Sequence, residues 1–262
     1  MVARKTGRRC GFTLVELLVV VAIISLLLGI LAPTLRRARE QVAVTVCISQ
    51  TGQFSKAMTM YCDHNRGRYW LFNHISGFYW YDNLMPYHNI HDIRFCPRVD
   101  KTSVGGWGAV DTNWRRNPYT GSYGMNLWLT PNDPAPGSGS YYGQFLQTDP
   151  VTGQSFETFF WRSHATTAPD TPTVTDSPWV GHWPLETDPP PRSYWYGTSV
   201  HVSAVRSCEF MGRVMIDRHD FAVNNGFCDG SAGRVSLPGL FQLKWARYFE
   251  RTVRTDIVKP TE

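Results

Sequence analysis

Cys47, Cys62, Cys96, Cys208 and Cys228 supply five thiols beyond Cys10, and Asp217, His219, Asp220 and Asp229 crowd one short stretch near the C-terminus. The thiols can pair or stay reduced. No two of them form a CxxC, which argues against a structural zinc site. Carboxylate oxygens from one loop suit calcium, which takes about six to eight of them, so Asp217, Asp220 and Asp229 are calcium candidates. The competing reading needs no metal: Asp229 orders a turn with Gly230, and His219 hydrogen-bonds backbone across a hairpin. His88-x2-His91 alone is a weak metal signal, and no other cofactor is implied. The chain contains no GxSxG, HExxH or P-loop, and nothing marks a catalytic triad, so the expectation is a protein without a catalytic residue.

A lone carboxylate poses a different question. Phe12 to Leu35 is apolar apart from a few small polar residues, and its one charge is Glu16. Twenty-four helical residues span about 36 Å, enough for a hydrocarbon core of about 30 Å. An acid at the centre of such a segment costs roughly 2.5–3.5 kcal/mol, so it requires a reason. Arg4, Lys5, Arg8 and Arg9 precede the segment and account for most of the net charge of +5; the remainder is close to neutral. No basic surface for nucleic acid is therefore expected.

The elements that position these groups can be read coarsely. The apolar pattern continues through Leu35, Ala38, Val42, Phe54, Met58 and Tyr61, which suits one long helix whose second half packs on a globular domain. Pro33 lacks an N–H and predicts a kink or local opening, or else a plain helix end. Asp63-His64-Asn65-Arg66-Gly67 reads as the stop. Residues 78–87 suggest a short helix, and 93–97, 122–129 and 173–176 suggest strands or strand ends. Residues 131–200, rich in Pro, Gly, Ser and Thr, read as long surface loops. Residues 213–237 read as strand, loop, strand, Asp229-Gly230 turn, strand.

Gly11-Phe12-Thr13-Leu14-Val15-Glu16 after a basic leader resembles the class III signal of type IV pilins and type II secretion pseudopilins. The resemblance implies an α+β, type IV pilin-like fold, with a long helical spine on a small antiparallel sheet. It implies cleavage by a prepilin peptidase between Gly11 and Phe12, N-methylation of Phe12, and roles in assembly for Glu16 and Pro33. The implied partners are that peptidase, other pilin or pseudopilin subunits and the inner membrane, with the globular domain in the periplasm. The implied segments are a leader over 1–11, a transmembrane half-helix over 12–35, an amphipathic half over 36–65 and a globular domain over 66–262. His219 and Asp229-Gly230, with nine residues between them, also resemble the H-x9-D-G segment of a group of pilin-like proteins, many from planctomycete bacteria. Phe95-Cys96-Pro97, Tyr123–Asn126 and Leu243–Trp245 agree with that group; the resemblance leaves the segment's role open.

An outward-facing domain permits disulfides. Cys47–Cys96 is the favoured pair, tying the long helix to the first sheet segment, and Cys208–Cys228 the second; the alternative is that all thiols are buried and reduced. The 10 Trp and 12 Tyr either fill the core or present flat rings to sugars. A membrane-anchored polysaccharide-binding module is thus the alternative to a filament subunit.

Overall fold

The computed structural model describes residues 12–70, 80–88, 93–104, 106–116, 118–130, 153, 155, 158–197 and 210–260. The chain divides into two compact units, Met1–Val42 and Ala43–Glu262. One helix, α1 (Leu14–His64), begins in the first and ends in the second. Every residue over 12–39 is exposed, as an apolar segment without a protein partner must be. The helix runs on through Pro33, which excludes a plain helix end there, although the Gly29 carbonyl loses its donor to the missing N–H. It stops after His64. Arg66 and Gly67 turn to positive φ (57° and 74°), and the Gly67 N–H closes on the Cys62 carbonyl at 2.8 Å, an ending in which glycine costs least.

Within the second unit, one face of α1 is buried through Ala43, Cys47, Gln50, Thr51, Phe54, Ala57, Met58 and Cys62, at the spacing of successive turns. A short helix, α2 (Trp80–Leu84), supplies Trp80, Tyr81 and Leu84 to the same core. Three short strands, β1 (Lys101–Thr102), β2 (Thr112–Arg116) and β3 (Tyr119–Gly121), form one sheet in that order. The larger sheet contains β4 (Tyr123–Asn126), β5 (Pro172–Asp176), β6 (Gly181–His182), β7 (Ala222–Phe227) and β8 (Ala232–Ser236). Its order is β6-β4-β5-β7-β8. All pairings in it are antiparallel except β4 with β6. The class is α+β, with a long N-terminal helix packed against mixed sheets.

Three expected strands take other forms. Residues 93–97 make a turn, so Cys96 sits beside the sheet rather than in it, with its N–H on the Ser122 Oγ at 2.8 Å. Leu127–Leu129 is a 3-10 helix, capped by the Asn126 side chain, that ends β4. Met211–Arg213 is a 3-10 helix followed by buried Val214, Met215 and Ile216, an apolar run buried without strand pairing. The strand expected at 173–176 is found as β5, but the expectation of surface loops over the rest of 131–200 is corrected, since residues 158–197 also provide β6 and the fully or nearly buried Phe159, Phe160, Trp161, Trp183 and Leu185. Composition misleads here because aromatic residues are interspersed with Pro and Gly, and β6 is only two residues long. Residues 131–152 lie outside the described residues.

α1 approaches β7 closely because Gly226 has no side chain. A Cβ there would lie 2.2 Å from the Ser55 Oγ and 2.3 Å from the Thr51 carbonyl oxygen. Ser55 also shares a hydrogen bond with Thr173 of β5. Gly226→Ala is therefore expected to lower stability by about 1–3 kcal/mol through overpacking. Gly233→Ala, whose Cβ would meet nothing nearer than 4.0 Å, serves as the control. Denaturant titrations of the two variants check this, and equal midpoints would contradict the close approach.

Candidate functional site

The start of α1 explains how a single acid is accommodated. Glu16 Oε2 accepts the Thr13 N–H at 2.8 Å and the Thr13 hydroxyl at 2.7 Å, while the Thr13 Oγ1 faces the Glu16 N–H at 3.3 Å. This is a capping box: each side chain satisfies the other residue's backbone donor at a helix start. Sequence reasoning assigns Glu16 to assembly alone and misses this use, although Thr13-x-x-Glu16 ahead of an apolar run is the signal for it. Phe12 is 71% exposed, and Gly11 lies outside the described residues.

A second constellation is wholly buried. α1 brings Cys47, the turn after α2 brings Cys96, the end of β5 brings Asp176, and the turn before β7 brings Arg218 and His219. The Cys47 and Cys96 sulfurs are 2.9 Å apart. The Cys96 Sγ lies 3.6 Å from His219 Nε2, which in turn lies 3.3 Å from Asp176 Oδ2. Asp176 Oδ2 also accepts the Asn224 N–H at 2.8 Å, and its Oδ1 lies 3.4 Å from Arg218 NH1. The guanidinium donates to the carbonyls of Ser122 (2.6 Å), Ala109 (2.7 Å) and Val110 (3.1 Å). Asp176, Arg218 and His219 have no exposed surface.

The turn that holds His219 is tight. Its N–H bonds the Ala222 carbonyl at 3.1 Å, and Asp220 and Phe221 adopt positive φ. The imidazole thus faces Asp176 and Cys96 rather than hairpin backbone, a correction to the expected role. Its Nδ1 has no hydrogen-bond partner among the described residues. The other end of the motif behaves as expected. Asp229 Oδ1 accepts the Ser231 N–H at 2.8 Å and hydroxyl at 2.6 Å, and Gly230 takes φ 82°. β7 supplies six of the nine residues between His219 and Asp229-Gly230, so the strand sets most of their separation.

The environment separates the thiols. Burial pushes Cys62 and Cys228 up to about 12. Hydrogen bonding to Cys96, with burial, raises Cys47 far beyond the usual thiol range. Burial opposes ionisation of Cys96 too, but the hydrogen bonds from Cys47 and His219, with the Arg218 charge, outweigh it and hold Cys96 down to about 6. Burial likewise opposes protonation of His219, while the Asp176 carboxylate outweighs it and lifts His219 to about 9. The arrangement therefore favours a thiolate–imidazolium–carboxylate chain.

The carboxylates considered for calcium are engaged separately. Asp217 Oδ1 accepts the Phe221 N–H. Asp220 pairs with Lys259 at 2.5 Å and Arg234 at 3.6 Å. Asp229 serves its own turn. Among the described residues, the group with converging metal-type donors is Cys47, Cys96 and His219. Cys208 lies outside the described residues, and the Cys228 sulfur is 3.5 Å from the Tyr69 hydroxyl.

Comparison with known proteins decides the first site. Residues 6–32 match the prokaryotic N-terminal methylation motif. The matched stretch contains Gly11, Phe12 and Glu16, and it is the prepilin-type signal of type IV pilins and pseudopilins. No curated protein and no solved structure matches the chain. The methylation motif thus accounts for the N-terminal segment, and the buried thiol pair stands outside it.

Opposite pH dependences follow for that pair. His219, raised from 6.5 to about 9, gives stability fully present below 6.5 and lost as pH rises through about 9. Cys96, lowered from 9.0 to about 6, gives stability present above 9.0 and lost as pH falls through about 6. In the reduced protein the two offset between those limits. Cys96→Ser removes the second and leaves the part of the first that Asp176 supplies, so its unfolding free energy is expected to fall with rising pH above 6.5 by up to about 1.4 kcal/mol per pH unit. Denaturant titrations read by Trp fluorescence under reducing conditions check this. Equal slopes in the variant and the wild type would refute the assignment.

Proposed function

We propose that the chain is a pilin-like structural subunit. It is cut by a prepilin peptidase between Gly11 and Phe12, methylated on the new amine, and assembled through α1 into a type IV pilus or a type II secretion pseudopilus. The match of residues 6–32 to the N-terminal methylation motif carries this reading. It is supported by a helix long and apolar enough to cross a membrane, none of whose apolar window is buried in the protein. In this reading residues 1–11 are the leader, 12–35 lie in the inner membrane, 36–65 form the amphipathic half of the spine, and 66–262 form a periplasmic domain. The partners are the peptidase and neighbouring subunits.

Glu16 then has two tasks. It closes the capping box within its own chain, and in a filament it offers a carboxylate to the Phe12 ammonium of a neighbour, where low dielectric strengthens the attraction. Pro33 loosens the helix between its two halves. The polysaccharide-binding alternative gains little: Trp70, Trp80, Trp114, Trp128, Trp161, Trp183 and Trp245 are all buried, so most of the tryptophan is committed to the core.

Intact mass of membrane-extracted protein is expected to begin at Phe12 with one added methyl group. A mature chain beginning at Met1, or near residue 33, would overturn the reading. Assembly is tested separately. Glu16→Gln keeps a side chain that can close the capping box but removes the charge, so it is expected to be cleaved normally and to give few sheared filaments. Thr13→Ala removes the cap, at about 1 kcal/mol, keeps the charge, and is expected to assemble. Normal filament yield from Glu16→Gln would show that the charge is no assembly device.

A further inference from the structure

The described residues contain one cluster in which a sulfur pair, a histidine and a carboxylate meet out of contact with water, and the methylation motif gives it no task. We propose that Cys47 and Cys96 form a disulfide–dithiol couple, and that His219, held by Asp176, is the positioning residue that stabilises Cys96 as a thiolate in the reduced state. This assigns a role to the histidine of the H-x9-D-G segment.

The geometry favours a sulfur couple over a metal cage. In tetrahedral zinc sites the zinc–sulfur bond of about 2.3 Å keeps two sulfurs about 3.8 Å apart, whereas these lie 2.9 Å apart. A zinc-ligating histidine commits one nitrogen to the metal and its other N–H to an oxygen acceptor. Here Nε2 faces both Asp176 and Cys96, and Nδ1 is unpartnered. Of the buried thiols described, Cys96 is the one whose sulfur lies 3.6 Å from an imidazole nitrogen and whose ionisation the Arg218 charge favours.

Closure proceeds by exchange with the disulfide of an oxidised protein dithiol. The Cys96 thiolate attacks one partner sulfur, forming a mixed disulfide and releasing the other as a thiolate. Cys47 gives its proton to that thiolate and attacks the Cys96 sulfur, which forms Cys47–Cys96 and releases the second partner sulfur. Two electrons pass to the partner, which leaves as a dithiol carrying one transferred proton. Both cysteines are buried in the folded domain (0% and 1% exposed), so a protein oxidant reaches them while this part of α1 is undocked. His219 therefore sets the equilibrium of the folded protein rather than the rate of attack. A thiolate held in place stabilises the dithiol, and the disulfide becomes easier to reduce.

The charged and titratable groups around Cys96 are Cys47 of α1, Tyr123 of β4, Asp176 of β5, and Arg218 and His219 before β7. Arg234 of β8 reaches only the His219 carbonyl in this cluster. The supply of an oxidant rests on the outward-facing domain proposed above; the equilibrium itself does not, so it is tested on purified protein.

The full chain in mild detergent is equilibrated over graded ratios of reduced to oxidised glutathione, then alkylated and weighed. Wild type is expected to lose both thiol hydrogens at Cys47 and Cys96 cooperatively. His219→Gln is expected to shift the midpoint toward the disulfide near neutral pH by a part of the roughly tenfold bias that a thiol titrating at about 6 has at pH 7, the Cys47 hydrogen bond and the Arg218 charge retaining the rest. The shift should vanish below about 6, where Cys96 is protonated in either protein. If His219→Gln does not fold, the wild-type midpoint measured against pH reads the same titration, with a break expected near 6. Independent alkylation of Cys47 and Cys96 at every ratio, a midpoint insensitive to both His219→Gln and pH, or stoichiometric metal released on alkylation would each overturn the proposal.

Discussion

A carboxylate without access to water must find its counter-charges and donors inside the protein, and Asp176 finds all of them in segments remote in the chain. Arg218, His219 and the Asn224 N–H converge on it at the end of β5. Arg218 in turn holds the carbonyls of Ala109, Val110 and Ser122, so the approach to β2 and the junction of β3 with β4 are fixed to the same centre. Removing one partner of a buried ion pair leaves the other uncompensated, at about 3–5 kcal/mol. Among the described residues, nothing on the surface of this domain has comparable leverage. Its exposed ion pairs, such as Arg251 with Asp170, belong to a class worth about 0–1 kcal/mol.

The same centre joins helix to sheet. Ser122 accepts the Cys96 N–H, and Tyr123 reaches Gln50 of α1 at 2.6 Å. One and two turns of helix from Cys47, the Thr51 carbonyl and the Ser55 hydroxyl lie against Gly226. Polar contacts and close packing thus act on the same few turns of α1. Docking of those turns and assembly of the Asp176 cluster are accordingly one event rather than two.

How much of this could be read from the chain depended on the range of the interactions involved. The helix was legible because an unbroken apolar run followed by a spaced apolar face admits little else, and its stop at Gly67 is a local backbone requirement. The β7–β8 hairpin was legible for the same reason, since Asp229-Gly230 is a short-range turn signal. Cys47 and Cys96 could be named as neighbours, although Cys96 lies on a turn rather than a strand. Asp176 could not be named at all: it looks like the polar end of a short strand, and its importance comes from partners more than forty residues away. The contribution of His219 was misread for that reason, because the hairpin offers a nearby backbone and the real partner is distant. β6, two residues among Pro-rich stretches, was hidden because composition averages over its length.

The turn before β7 and the turn after it are separated by six residues of strand, Ala222 to Phe227. Side chains on a strand alternate between faces, so removing or adding one residue would rotate everything beyond it to the opposite side. With Gly226 required against α1, and the Asn224 amide required by Asp176, the strand cannot absorb such a change by slipping. The H-x9-D-G segment is then a measure of length as much as a set of residues. Side chains inside the interval can be exchanged where packing allows, whereas a single inserted or deleted residue would part the histidine from Asp176 or the turn from its place beyond β7.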